Sequence, residues 1–205
     1  MKKSKRREEG FSLVEAMVAV GIMLTVMAFA MVQSFGSIES YRVNAAMDII
    51  VSQMRVARQL AISQRRNVTV SFTTGSTPQK ITYQVVADYG TNLATADTYQ
   101  PLAVTIPIPP QVSFTQVSGV PDTPMAFGTC SGAGICVGGV SGGPAVMQFT
   151  SLGQFTDSTG VNTLNGTIFL ALPGQVNTAR AVTIMGGTGR VREYTYTGST
   201  GGWIE

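Results

Sequence analysis

Two hydrophobic periods divide this chain. From Phe11 to Val32 the residues are almost all apolar, and Glu15 is the only charge. About 22 residues at ~1.5 Å rise make a helix of ~33 Å, enough to cross a bilayer core of ~30 Å. The pattern then becomes amphipathic. Ala46, Ile50, Met54, Ala57 and Ala61 recur at helical spacing, and Ile49 and Leu60 widen the stripe. Arg55, Arg58, Arg65 and Arg66 fall mostly off it, where a solvated face is expected. No proline occurs before Pro78, so the spacing predicts one helix from about Phe11 to about Gln64, with Gly21 and Gly36 as points where it can bend.

After Arg66 the period changes from 3.6 to 2. Asn67–Phe72 and Ile81–Val85 alternate around the turn residues Gly75–Pro78, which predicts a hairpin over about 67–87. Further strands are expected at Leu102–Ile106, Val112–Val117, Ala145–Thr150, Thr167–Leu172, Ala181–Met185 and Arg190–Thr197. Turns are expected at Pro107–Pro110, Ser151–Gly153, Pro173–Gly174 and Gly186–Gly189. Val120–Gly143, rich in Gly and Pro, reads as a long excursion, and Gly198–Gly202 as a flexible tail. Strands that bury one face need cover, and the helix stripe supplies it. The expected class is α+β: a long N-terminal helix, its first half transmembrane, its second half packed on antiparallel sheet.

Composition refines this picture. The chain has 14 basic and 11 acidic side chains, but five of the former and two of the latter lie in residues 1–10. Without that leader the charges balance, so the basic pI says nothing about a nucleic-acid partner. The leader charge does set orientation, holding the N-terminus in the cytoplasm and the body on the other side. Histidine is absent, which removes Ser-His-Asp and Cys-His catalysis and the commonest zinc ligand. The distal carboxylates Asp88, Asp97, Asp122, Asp157, Glu193 and Glu205 are scattered. They show neither a paired acid/base spacing nor a calcium loop. Gly186-Gly187-Thr188-Gly189 lacks the phosphate-loop pattern and leads into a strand, so it reads as a turn. No enzyme, cofactor or metal site is expected. Cys130 and Cys136 are the only cysteines; in an oxidising compartment a disulfide between them is favoured over free thiols, at about 2–3 kcal/mol for so short a loop.

Glu15 is the group that demands explanation. A carboxylate near a bilayer centre costs about 2.5–3.5 kcal/mol. If the chain is cut after Gly10, Phe11 gains a free amine four residues from Glu15. Two alternatives are an uncleaved anchor whose Glu15 snorkels to the interface, and a secretory signal peptide. The run is long for the second, and no small-residue cleavage site ends it.

Gly10-Phe11-Ser12-Leu13-Val14-Glu15, behind a basic leader, resembles the type IV prepilin signal. That resemblance implies cleavage of Gly10–Phe11 by a prepilin peptidase, methylation of the Phe11 amine, and neutralisation of a neighbouring subunit's amine by Glu15 during filament assembly. Ala57-Arg58-Gln59-Leu60-Ala61-Ile62, Phe149-Thr150-Ser151-Leu152-Gly153, Gly166-Thr167-Ile168, and Ala181–Ile184 leading to Gly189-Arg190-Val191-Arg192 resemble the GspH/FimT branch of the pilin superfamily. This implies a leader at 1–10, a membrane and assembly segment at 11–32, an amphipathic helix at 33–66 and a periplasmic β-rich head at 67–205. The implied function is that of a minor pseudopilin of a type II secretion system, anchored in the inner membrane. Its implied partners are the peptidase, other pseudopilins or pilins, and an inner-membrane assembly platform. The alternative is a FimT-like minor pilin. Arg190 and Arg192, at i and i+2 of a strand, present two guanidiniums on one face, and in such pilins a Gly-Arg-x-Arg element is linked to DNA uptake. Weak charge support counts against DNA here, because Glu193 is adjacent and Arg180 is the only other distal arginine.

Overall fold

The change of period at Arg66 is the boundary of an element. In the computed structural model, which describes residues 12–86, 103–128, 133–143, 147–198 and 202–205, helix α1 spans Leu13–Gln64 and strand β1 begins at Val68. The chain forms two units, Met1–Ile38 and Glu39–Glu205. In the first, the large apolar side chains of Leu13–Met31 are exposed, Leu13 by 76 % and Phe29 by 75 %. In the second, the stripe expected from the spacing is the buried face. Ala46, Ile50, Met54, Ala57 and Ala61 are wholly buried, joined by Val43, Met47 and Val51.

The strands are β1 (Val68–Thr73), β2 (Lys80–Val85), β3 (Ala103–Pro107), β4 (Ser113–Phe114), β5 (Ile135–Val137), β6 (Val140–Ser141), β7 (Met147–Phe149), β8 (Phe155–Asp157), β9 (Gly166–Ala171), β10 (Arg180–Met185), β11 (Arg190–Tyr196) and β12 (Trp203–Ile204). Five form a sheet in the order β3-β2-β1-β7-β8. The others form a seven-stranded sheet ordered β12-β11-β10-β9-β5-β6, with β4 also on β9. Every pairing is antiparallel. The expected hairpin pairs Val68 with Val85, Val70 with Tyr83 and Phe72 with Ile81.

Alternation decides which side chains meet the helix. Val68, Val70, Ile81, Met147, Phe149 and Phe155 from the first sheet share one core with α1. So do Ile135, Val137, Ile168, Leu170, Val182, Ile184 and Val191 from the second. The other face of the second sheet is covered as well. Phe169, Ala181 and Tyr194 pack with Met125 and Trp203, while Ala179 and Tyr196 pack with Val117, Val120 and Trp203. Strand β9, with covered faces on both sides, is buried throughout.

The departures from expectation are local. The glycine-rich excursion contributes β5, whose three residues are all buried. A strand at Phe155–Asp157 follows the Ser151–Gly153 turn. Of the tail expected to be flexible, 199–201 lie outside the described residues. Beyond them Trp203 packs at a tilt against the rings of Phe169 and Tyr196, and its Nε1–H donates to Pro121 O at 3.1 Å. The Pro107–Pro110 turn falls later, with Val112 N–H donating to Pro109 O, because Pro107 still belongs to β3.

Candidate functional site

Two places carry chemistry. The first is the N-terminal segment. Gly10 and Phe11 lie outside the described residues, so the expected cleavage and methylation sites carry no geometry. Glu15 lies in the first turn of α1 and is exposed, as are the other described side chains through Met31. The helix of Leu13–Met31 is long and apolar enough to cross a membrane.

The second is a cleft of about 270 Å³ lined by Arg55, Arg58 and Gln59 of α1 and by Gly189, Arg190 and Val191. Its floor is a close meeting of three segments. Arg58 Nε–H donates to Gly153 O at 3.1 Å, tying the helix to the β7–β8 turn. Gly153 and Gly189 both have positive φ, +78° and +62°. A Cβ on Gly189 would overlap the Gly153 carbonyl oxygen and come within 2.9 Å of Arg58 Nε. A Cβ on Gly153 would lie 2.8 Å from Ile62 Cδ1. The glycines of Phe149–Gly153 and Gly189–Arg192 are therefore set by the approach of two turns to Arg58. Arg58 departs from the expected solvated face for this reason. Arg55 and Arg65 keep to that face.

Arg190 and Arg192 occupy neighbouring same-face positions of β11, opposite Met185 and Thr183 of β10. Their surroundings differ. Arg190 is exposed beside the cleft, whereas Arg192 is held by Glu205, Nη1 to Oε2 at 2.9 Å. The Tyr194 side chain and then the Glu205 charge strengthen its protonated form. Arg180, the third distal arginine, is buried instead. Its Nε–H donates to Asn44 Oδ1 at 2.7 Å and its Nη1 to Ala179 O at 2.9 Å, and burial pulls its pKa down. It binds sheet to helix.

Among the acids, Asp157 ends strand β8 and is half-buried. It accepts from the Thr159 hydroxyl and Asn162 Nδ2, which bring its pKa to about 2. Asp122 accepts from the backbone of Thr123 and Gly128. Asp88 and Asp97 lie outside the described residues. Among the described residues no three His, Cys, Asp or Glu groups gather to hold a metal. Cys136 is buried in β5 and disulfide-bonded. Cys130 lies outside the described residues.

Residues 5–31 match the family described as the prokaryotic N-terminal methylation motif. Comparison with curated proteins finds no match. Among solved structures, the chain is similar to the type IV minor pilin FimU of Pseudomonas aeruginosa, at 14 % identity over 73 % of this chain and 90 % of that one, with a TM-score of 0.41. So loose a likeness carries no weight for function.

Proposed function

We propose that this chain is a prepilin-class filament subunit, and specifically a minor pseudopilin of a type II secretion system. The observation that carries the reading is the exposed apolar helix Leu13–Met31 bearing Glu15, which lies within the methylation motif matched at 5–31. In this reading a prepilin peptidase cuts Gly10–Phe11 and methylates the Phe11 amine. The subunit then waits in the inner membrane with its head in the periplasm. An assembly platform moves it among other pseudopilins, whose helices replace lipid. Glu15 pairs with the amine of a neighbour, because either charge alone is costly in a medium of low dielectric. A disulfide between Cys130 and Cys136 completes the exported head.

The DNA-binding alternative asks Arg190 and Arg192 to act together on phosphates. The commitment of Arg192 to Glu205 weakens that reading, since phosphate recognition draws on several free cations.

The test is direct. The N-terminal peptide from native membranes is expected to begin at Phe11 with a methylated amine, and Gly10→Ala to leave a longer precursor. Retention of Met1 in the native protein refutes the processing. Loss of the gene is expected to abolish export of secreted proteins and spare transformation. Lost transformation with intact secretion, together with DNA binding sensitive to Arg190→Ala and Arg192→Ala, would establish the pilus alternative.

A further inference from the structure

We propose that the free edge of β11 at Val191–Glu193, with the cleft beside it, receives an extended acidic segment of a different protein, which joins the seven-stranded sheet as an added strand. The proposal goes beyond the filament reading and concerns the head alone, so failure of N-terminal processing leaves it standing.

Strand β11 pairs along its length with β10, but on its other side β12 meets only Thr195 and Tyr196. Tyr196 N–H donates to Ala179 O on the β10 side, and Thr197 N–H to Gly202 O on the β12 side. Alternation then sends the N–H and C=O of Val191 and Glu193 off the outer edge. Among the described residues no strand meets them. An open row of this kind is a template for strand addition.

The cleft adjoins this edge at Val191; three of its lining residues are arginines and none is an acid, so the arginines outnumber Glu193, the one acid on this stretch of edge. Arg58 already donates to Gly153 O. Arg55 and Arg190 have no side-chain hydrogen bond or ion pair among the described residues. Its volume, about 270 Å³, lies just under the range of ~300–1,000 Å³ usual for small-molecule pockets and suits a side chain better than a free ligand.

Geometry specifies the segment. A residue added opposite Arg190 shares its outer face, and one opposite Val191 shares the face turned toward α1, where Arg55 and Arg58 stand. Adjacent carboxylates would therefore answer cations on both faces, while the main chain bonds to Val191 and Glu193. A second copy of this chain cannot supply such a pair from its head, whether or not its N-terminus is processed. Its acidic residues adjoin only at Glu8–Glu9. The partner is therefore a different protein. A nucleic-acid backbone could meet the same guanidiniums but has no use for a strand edge.

The experiment uses the full chain in lipid nanodiscs and a short blocked peptide with a central Asp-Glu pair flanked by valine and threonine. Amide hydrogen exchange is followed as peptide is added. The proposal expects slower exchange at Val191 and Glu193. Binding should weaken by about tenfold or more when the pair becomes Asn-Gln, or when Arg55→Gln and Arg190→Gln are combined, as for loss of a charged hydrogen bond. Glu193→Pro removes only an edge N–H, a change tolerated at such positions, and should abolish the protection. The arginine variants decide the matter even if that variant folds poorly. No protection at millimolar peptide overturns the proposal, as does equal binding of the Asn-Gln peptide. Protection of these amides by duplex DNA or by self-association, in place of the peptide, overturns it too.

Discussion

Replacing Gly189 by alanine tests the meeting of turns beneath the cleft. Two penalties act at once. The residue sits at φ +62°, and a left-handed conformation costs an L-residue about 1–2 kcal/mol. The new Cβ also overlaps the Gly153 carbonyl oxygen, and forcing backbone aside in a packed site costs about 1–3 kcal/mol. The sum is about 2–5 kcal/mol. For a domain of this size that lowers the unfolding midpoint by roughly 5–15 °C. Two other glycines separate the causes. Gly174 has φ +78° but open space around its Cβ position, and Gly187 has open space without the positive φ. Gly174→Ala should cost only the strain, about 1–2 kcal/mol. Gly187→Ala should fall within about 0.5 kcal/mol of the parent. The assay is thermal unfolding of the detergent-solubilised chain, read by the fluorescence of Trp203, its one tryptophan. If Gly189→Ala melts with Gly187→Ala, the overlap with Gly153 is not a real constraint. Arg58→Ala in the Gly189→Ala background should restore little, since the clash with backbone remains.

Other outcomes follow from the same geometry. Arg180→Ala should lose about 2–4 kcal/mol in denaturant unfolding by opening a cavity and stranding Asn44; Arg180→Met with Asn44→Leu should recover most of it, because apolar packing can replace a buried polar tie. Asp157 should titrate near pH 2 by NMR. Since its folded pKa lies below the ordinary 3.8, its contribution to stability is complete above that value and fades as pH falls toward 2. Thr159→Ala should move the titration back upward; an unmoved midpoint refutes the assigned cause. Glu15→Leu should remain in membranes and fail to enter filaments in a shearing assay, and normal assembly would refute the pairing of that carboxylate with an amine. Thiol labelling of the unfolded native protein should find Cys130 and Cys136 unreactive until reductant is added.

Much of the fold was legible in the sequence because periodicity is a local signal. Ala46, Ile50, Met54, Ala57 and Ala61 announce a buried helical face without knowledge of what covers it, and Val68–Phe72 alternates against a known partner nearby. β5, β8 and β12 escaped for a common reason. Each has two or three residues, too few to show a period, and each is held by pairing with a neighbouring strand rather than by a pattern of its own: Ile135 by the distant Ile168, Phe155 by Phe149 and Trp203 by Tyr196 across short connections. The cleft was half legible. Arg190 stood out in a motif, yet nothing local ties it to Arg55 and Arg58, which a chain closure from Arg58 to Gly153 brings beside it. Arg192 looked equivalent to Arg190 from spacing alone, and the return of Glu205 to the sheet, with Tyr194 beside it, distinguishes them.

The exposed flank of Leu13–Met31 has a consequence for handling in the cell. Each large apolar side chain left in water forfeits roughly 1.5–3 kcal/mol, and this segment displays a dozen, among them Leu13, Ile22, Leu24 and Phe29. A wet intermediate is thereby forbidden on energetic grounds. On the proposed filament reading, any transfer out of lipid must pass this helix directly into other apolar surroundings, and a chain released into water would aggregate rather than wait in solution.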